Sequence, residues 1–154
     1  MNRISVPLLG CLVLLLPTFV KFGFPNTDYS LCVYDDSGPG SQPVFQARMP
    51  AGEICNLIPC WTELAPPGKA VRYYDKLATP DGITLTLLRS GDEGKARVSA
   101  RGRGEDLALP ATTLTPPVTV QLQGANGLCF TATYEQRILK NEPGNFRARP
   151  DSPG

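Results

Sequence analysis

No stretch of this chain repeats its apolar residues at helical spacing over eleven or more positions, whereas several short stretches alternate strictly. Ile83-Thr84-Leu85-Thr86-Leu87 places apolar residues on one face and threonines on the other, as a half-buried strand does. Pro80-Asp81-Gly82 precedes it as a turn, with proline setting φ and glycine supplying a positive φ. Val118-Thr119-Val120-Gln121-Leu122-Gln123 alternates in the same way. Beyond Gly124-Ala125-Asn126-Gly127, residues Leu128, Phe130, Ala132 and Tyr134 continue an apolar face opposite Cys129, Thr131 and Thr133, which predicts a hairpin. Further strands are predicted at Leu31–Tyr34, Val44–Arg48, Val71–Tyr74 and Lys95–Arg101. Gly and Pro number 15 and 16 of 154 residues and fall between these runs as punctuation. About six to eight short strands at roughly ten-residue spacing predict an all-β antiparallel sandwich, with a small barrel as the alternative.

Residues 1–24 read as an address. Arg3 precedes the apolar run Leu8-Leu9-Gly10-Cys11-Leu12-Val13-Leu14-Leu15-Leu16, the layout of a secretory signal peptide. An uncleaved anchor over Ile4–Val20 is a rival, at the ~17-residue minimum for a span. A lipobox at Leu8-Leu9-Gly10-Cys11 is another, although most of the apolar run follows the cysteine. Residues 25–150 are then a single β domain and 151–154 a disordered tail. The segment from Asn141 onward, rich in Pro and Gly, is expected to fray. Such a chain is secreted or held in the periplasm or cell envelope. Without Arg3 and Lys21 it carries 13 basic and 14 acidic groups, net −1. That balance attracts neither nucleic acid nor an anionic membrane in bulk, so membrane contact would need the leader to stay.

Export makes the cysteines a framework. Cys11 falls in the leader, and Cys32, Cys55, Cys60 and Cys129 form an even set that reads as two disulfides. Four cysteines allow three connectivities. Cys55–Cys60 with Cys32–Cys129 is favoured, the second closing a loop of ~100 residues worth at most about 4–5 kcal/mol. A Cys₄ zinc site lacks the paired C-x₂₋₄-C spacing, so no metal or other cofactor is expected.

The chain has no histidine. That excludes Ser-His-Asp triads, Cys-His dyads and imidazole general bases. The acids Asp35, Asp36, Asp75, Asp81, Glu105 and Asp106 are scattered, whereas a glycosidase needs two carboxyls ~5–9 Å apart. Gly102-Arg103-Gly104 lacks the remainder of a dinucleotide fingerprint. The expectation is a non-enzymatic binding or structural module. Alternatives are a small carboxylate-dependent hydrolase, or an adhesin or inhibitor presenting Asp36-Ser37-Gly38-Pro39-Gly40.

One strand carries a candidate site. At period 2, Lys95, Arg97, Ser99, Arg101 and Arg103 share a face, a cationic row of ~27 Å. Read functionally, it is a groove for an acidic glycan. Read structurally, it is a charged edge that discourages strand-to-strand aggregation. Asp92, Glu93, Glu105 and Asp106 bracket it. Trp61 and Tyr73-Tyr74 either stack on sugars or fill the core, and burial of Trp61 against a disulfide is favoured. The candidate partners are an acidic glycan or another envelope protein. A faint echo links Leu31-Cys32-Val33 and Phe45-Gln46-Ala47-Arg48 with Leu128-Cys129-Phe130 and Phe146-Arg147-Ala148-Arg149, for which chance is the favoured explanation.

Read in order, the landmarks are Pro59-Cys60-Trp61, Tyr74-Asp75-Lys76, Pro80-Asp81-Gly82-Ile83, Gly94-Lys95-Ala96, Arg101-Gly102-Arg103-Gly104, Leu107-Ala108-Leu109-Pro110 and Pro117-Val118-Thr119-Val120-Gln121-Leu122, ahead of Gly127-Leu128-Cys129. Together they resemble a β-rich domain of uncharacterised exported proteins of Gram-negative bacteria. The resemblance spans roughly residues 30–150. It implies export and a β fold and carries no activity. Phe130 stands where that family tends to have Trp, and Arg101 and Arg103 where it tends to have lysine.

Overall fold

The computed structural model describes residues 27–91, 96–127 and 129–149. The expected leader and the 151–154 tail lie outside them. The described chain is all β, with twelve strands in antiparallel sheets and no closed barrel. They are β1 (Tyr29–Gly38), β2 (Gly40–Met49), β3 (Ile54–Cys55), β4 (Ile58–Pro59), β5 (Trp61–Leu64), β6 (Ala70–Tyr74), β7 (Ile83–Arg89), β8 (Arg97–Gly102), β9 (Val118–Gly124), β10 (Cys129–Tyr134), β11 (Ile138–Glu142) and β12 (Asn145–Ala148).

Eight strands form two four-stranded sheets, ordered β10-β9-β1-β2 and β5-β6-β7-β8. Alternation decides what lies between them. On the first sheet Tyr29 pairs with Met49, Leu31 with Ala47 and Leu122, and Leu122 with Phe130. On the second, Trp61 pairs with Tyr73, and Val71 with Leu88. These side chains belong to one core cluster, so the two sheets pack face to face as a sandwich. Trp61 joins them: its ring lies 5.2 Å from Tyr29 and 5.1 Å from Tyr73, and its indole N–H donates to the Met49 carbonyl at 3.4 Å. Burial of Trp61 is therefore borne out at 3% exposure. Arg48 also ties the sheets, its main-chain N–H and its Nε donating to Asp81 at 2.8 and 2.9 Å.

The expected turn at Gly82 forms, with φ +81°. A Cβ there would lie 2.5 Å from the Cβ of Leu107, and one at Gly102 would lie 2.6 Å from the Gly82 carbonyl oxygen. Both glycines let Leu107 close the end of the second sheet.

Two expectations are corrected. Among the described residues one disulfide forms, Cys55–Cys60, while Cys32 is a buried free thiol and not the partner of Cys129. Cys129 is itself disulfide-bonded, but not to Cys32. The reason is sheet order. Cys32 pairs with Gln121 and Cys129 with Gln123, so β9 stands between β1 and β10. Two strand spacings are about 9.6 Å, beyond the ~6.8 Å that a disulfide spans between Cα atoms. Secondly, residues 141–142 and 145–148 of the segment expected to fray are ordered as strand. Ile138–Glu142 and Asn145–Ala148 pair as a hairpin, with Gly144 at φ +69° supplying its turn. That pairing also ends the internal echo, because β2 pairs with the strand carrying Cys32 whereas β12 pairs with β11 and not with the strand carrying Cys129.

A candidate anion-binding face

The outward face of the second sheet follows from its register. Arg89 on β7 stands directly opposite Arg97 on β8, with Ala70 of β6 on its other side. One step along, Thr62, Arg72, Leu87 and Ser99 lie in a row across the four strands. The next row is Tyr74, Leu85 and Arg101. Four arginines thus share one face: Arg89 and Arg97 are one strand spacing apart, about 4.8 Å, whereas Arg97 and Arg101 are two same-face steps apart, about 13 Å, with Ser99 between them. Glu63 pairs with Val71, so it belongs to the opposite, inward face. Among the described residues the outward positions hold no carboxylate. The ion pairs Arg48–Asp81 and Lys140–Glu142 lie elsewhere.

The local energetics are unusual. Like charges directly opposite one another destabilise a strand pair, and Arg89 faces Arg97. Thr62 Oγ1 and Arg72 Nε, neighbours in one row, are shielded from solvent without a hydrogen-bond partner among the described residues. Shielded polar atoms normally have partners. Tyr73 and Tyr74 divide by alternation: Tyr73 points inward at 1% exposure, and Tyr74 points outward at 37%. The Arg72 guanidinium lies 5.9 Å from the centre of the Tyr74 ring, a cation–π contact. The face therefore offers exposed guanidinium donors and one aromatic surface.

The expected row Lys95, Arg97, Arg101 and Arg103 is only partly assembled. Arg97 and Arg101 are exposed and share the face. Arg103 follows the strand, and its Nη2 donates to the Lys76 carbonyl at 3.0 Å, which ties it to the β6–β7 loop. Lys95, with Asp92 and Glu93, lies outside the described residues. Glu105 and Asp106 are exposed in the turn beyond the strand. Arg72 and Arg89 were not among the expected site residues. Each occupies an outward position of an alternating run, but only sheet order brings them beside β8.

The carboxylates are engaged locally. Asp35 accepts from Ser37 Oγ at 2.6 Å and from the Thr115 amide at 2.9 Å. Burial pushes its carboxyl up, and the hydrogen bonds from Ser37 and Thr115 overcome that and hold it below the ordinary value. Asp75 accepts from the Leu77 and Thr79 amides, each at 2.8 Å. The hydrogen bond from Arg48 holds Asp81 below its ordinary value. The loop Asp36–Gly40 is an exposed hairpin tip whose base is fastened by Asp35. No family model, curated protein or solved structure matches the chain.

Proposed function

We propose that this chain is an exported, non-enzymatic binding module whose β5–β8 outer face takes an acidic glycan. The arginines meet carboxylate or sulfate groups, and Tyr74 stacks on a sugar ring. The observation that carries this reading is the opposed pair Arg89 and Arg97, with Arg72 and Arg101 on the same carboxylate-free described face. A polyanion would convert the repulsion of that pair into shared charge-assisted hydrogen bonds. A purely protective role suits Arg97 and Arg101, because β8 is an edge strand. It does not account for Arg72 on the internal strand β6, or for Arg89 placed against Arg97. The Cys55–Cys60 disulfide is consistent with an oxidising compartment, as export requires. The absence of histidine, and carboxylates committed to loop amides and Arg48, support a binding role over hydrolysis.

The test is calorimetric titration at low ionic strength, where exposed charges act over more than ~10 Å. Polygalacturonate should bind and neutral dextran should not. Replacing Arg72, Arg89, Arg97 and Arg101 together by serine should abolish the heat while Arg103→Ser retains it. Equal heats with both polymers, or none with polygalacturonate, would sink the reading.

A further inference from the structure

The two ends of the sandwich differ. At one of them the last rung of β5 and β6 is Cys60 beside Tyr74, the Tyr74 amide donating to the Cys60 carbonyl at 2.8 Å. Leu57 lies three residues before that rung and Leu77 three residues after it, so antiparallel pairing brings both to the same end of the second sheet. Leu57 is 94% exposed and Leu77 81%, while Ile54 and Ile58 beside Leu57 are 65% and 49% exposed. Both leucines are held in place. The Cys55–Cys60 disulfide closes the turn that carries Leu57. Asp75 fastens the turn that carries Leu77, accepting from the Leu77 and Thr79 amides at 2.8 Å and from the Thr79 hydroxyl at 3.0 Å. Exposed apolar side chains gathered at one end of a domain, and fixed there, mark a contact surface.

Two features of this end select its partner. The first is where the chain enters. Tyr29 opens β1 opposite Met49, and its ring lies 5.2 Å from Trp61, which opens β5 next to Cys60. Asp28 accepts from the Ala51 amide at 2.6 Å, in the connection that leads from β2 to Ile54. Residues 1–26 therefore join the domain at the end that carries Leu57 and Leu77. Within them the run at 8–16 has the composition of a segment handed to a bilayer, and a bilayer that receives it lies against this end. The second feature is charge. Lys76 precedes Leu77, and Arg103 is tied to the Lys76 carbonyl at 3.0 Å. Glu53 precedes Ile54, and Glu105 and Asp106 precede Leu107, which closes on Gly82. All five charged residues are exposed. Their mixed signs match headgroups that carry both a phosphate and an ammonium, and give no net pull towards an anionic surface.

We propose that this end of the sandwich rests on the surface of a zwitterionic lipid bilayer. Leu57 and Leu77 enter the boundary between headgroups and acyl chains, with Ile54 and Ile58 beside them, and the charged rim stays among the headgroups. The contact is apolar, so the near-zero net charge of the chain does not oppose it. Four side chains give a reversible hold, of the kind that becomes firm only with a second signal, which the leader supplies while it is attached. The contact does not depend on the arginine face or on its ligand.

Fluorescence of the disulfide-intact protein, as exported, with vesicles of brominated phosphatidylcholine tests it, because bromine quenches tryptophan only within the acyl region. Trp61 is buried and gives a constant background. Leu57→Trp and Leu77→Trp should each lose roughly half of the added emission relative to unbrominated vesicles. Ser41→Trp, exposed at the opposite end, should lose none. High salt should leave the quenching unchanged, since screening acts on charges. Adding Leu77→Asp to Leu57→Trp should raise the lipid needed for half-quenching about tenfold, because burying one leucine is worth at least that factor. If circular dichroism shows Leu57→Trp to be unfolded, Ile54→Trp takes its place. No quenching at either position at any lipid concentration overturns the proposal. So does equal quenching of Ser41→Trp, or quenching of Leu57→Trp that is indifferent to Leu77→Asp. Quenching that needs phosphatidylglycerol and disappears in salt overturns it in favour of an electrostatic contact. Leu57-dependent dimers in sedimentation velocity, without quenching, overturn it in favour of a second copy.

Discussion

The two principal sheets share one core, but their outer faces are built on opposite plans. On the first sheet Cys32, Tyr34, Gln121 and Gln123 face away from the core, and they are neutral and bonded to one another. The Gln123 amide donates to Tyr34 Oη at 3.2 Å and to Gln121 Oε1 at 2.8 Å. Cys32 is buried there, and burial pushes its thiol pKa up while a hydrogen bond with Tyr34 partly offsets the rise. On the second sheet the corresponding positions hold arginines that find no carboxylate among the described residues. These described groups of the first face bond one another. The second sets like charges in register, which a strand pair tolerates at a loss of stability. The difference is between a face whose described polar groups pair with one another and a face whose arginines meet no carboxylate among the described residues.

Breaking the frame that holds the second face should have the largest effect on stability. Gly82→Ala forces a side chain onto φ +81° and into Leu107, and should lower stability by roughly 2–5 kcal/mol in a urea titration. Acid should act next, through the carboxyls that fasten loops of both sheets. Asp35 and Asp81 have folded pKa values below their unfolded ones. Their contribution is complete above the unfolded carboxyl range near pH ~4 and is lost as pH falls through the depressed folded values. Thermal melts should therefore hold steady above about pH 5 and drop below pH ~4. Asp81→Asn should flatten part of that drop. Tyr73 acts at the other extreme. Burial, more than the nearby carboxylates, pushes its hydroxyl up to about 12. Its contribution is full below pH ~10 and fades as pH rises towards that value.

Smaller effects separate the two faces. Gln123→Ala removes two hydrogen bonds from the first face and should cost about 1 kcal/mol without changing glycan binding. Iodoacetamide should leave Cys32 unmodified in the native protein and label it after unfolding without reductant, whereas Cys55 and Cys60 stay unlabelled in both states. Peptide mapping by mass spectrometry reads this directly. Removing Arg97 and Arg101 should change stability by no more than about 0.5 kcal/mol each, and should weaken binding instead.

What could be read from the chain divides along the same line. Alternation at 83–87 and 118–134 located β7, β9 and β10, and Trp61 beside a cysteine pair signalled the centre of the core, but β7 buries Thr86 and turns Leu85 and Leu87 outward because a register shift falls between Ile83 and Leu85. Cys55 and Cys60 are close enough in sequence for their pairing to be local. The bond drawn from Cys32 to Cys129 failed because strand neighbours are a property of the whole sheet, and β9 sits between them. Arg72 and Arg89 escaped for the same reason: each is a lone cation in its own strand, and only β6 beside β7 beside β8 gathers them. The β11–β12 hairpin was obscured by Pro143, Gly144 and its charged residues, since only alternate positions such as Ile138 and Phe146 are even half-buried.

The most direct test of the central claim is the salt dependence of polygalacturonate binding. By the counterion-release relation for polyanions, neutralising four charges gives a slope of log affinity against log salt of roughly −3. The wild type should show that slope, and the variant lacking Arg72, Arg89, Arg97 and Arg101 should lose it. An affinity indifferent to salt, or a slope that survives removal of all four arginines, would contradict the account.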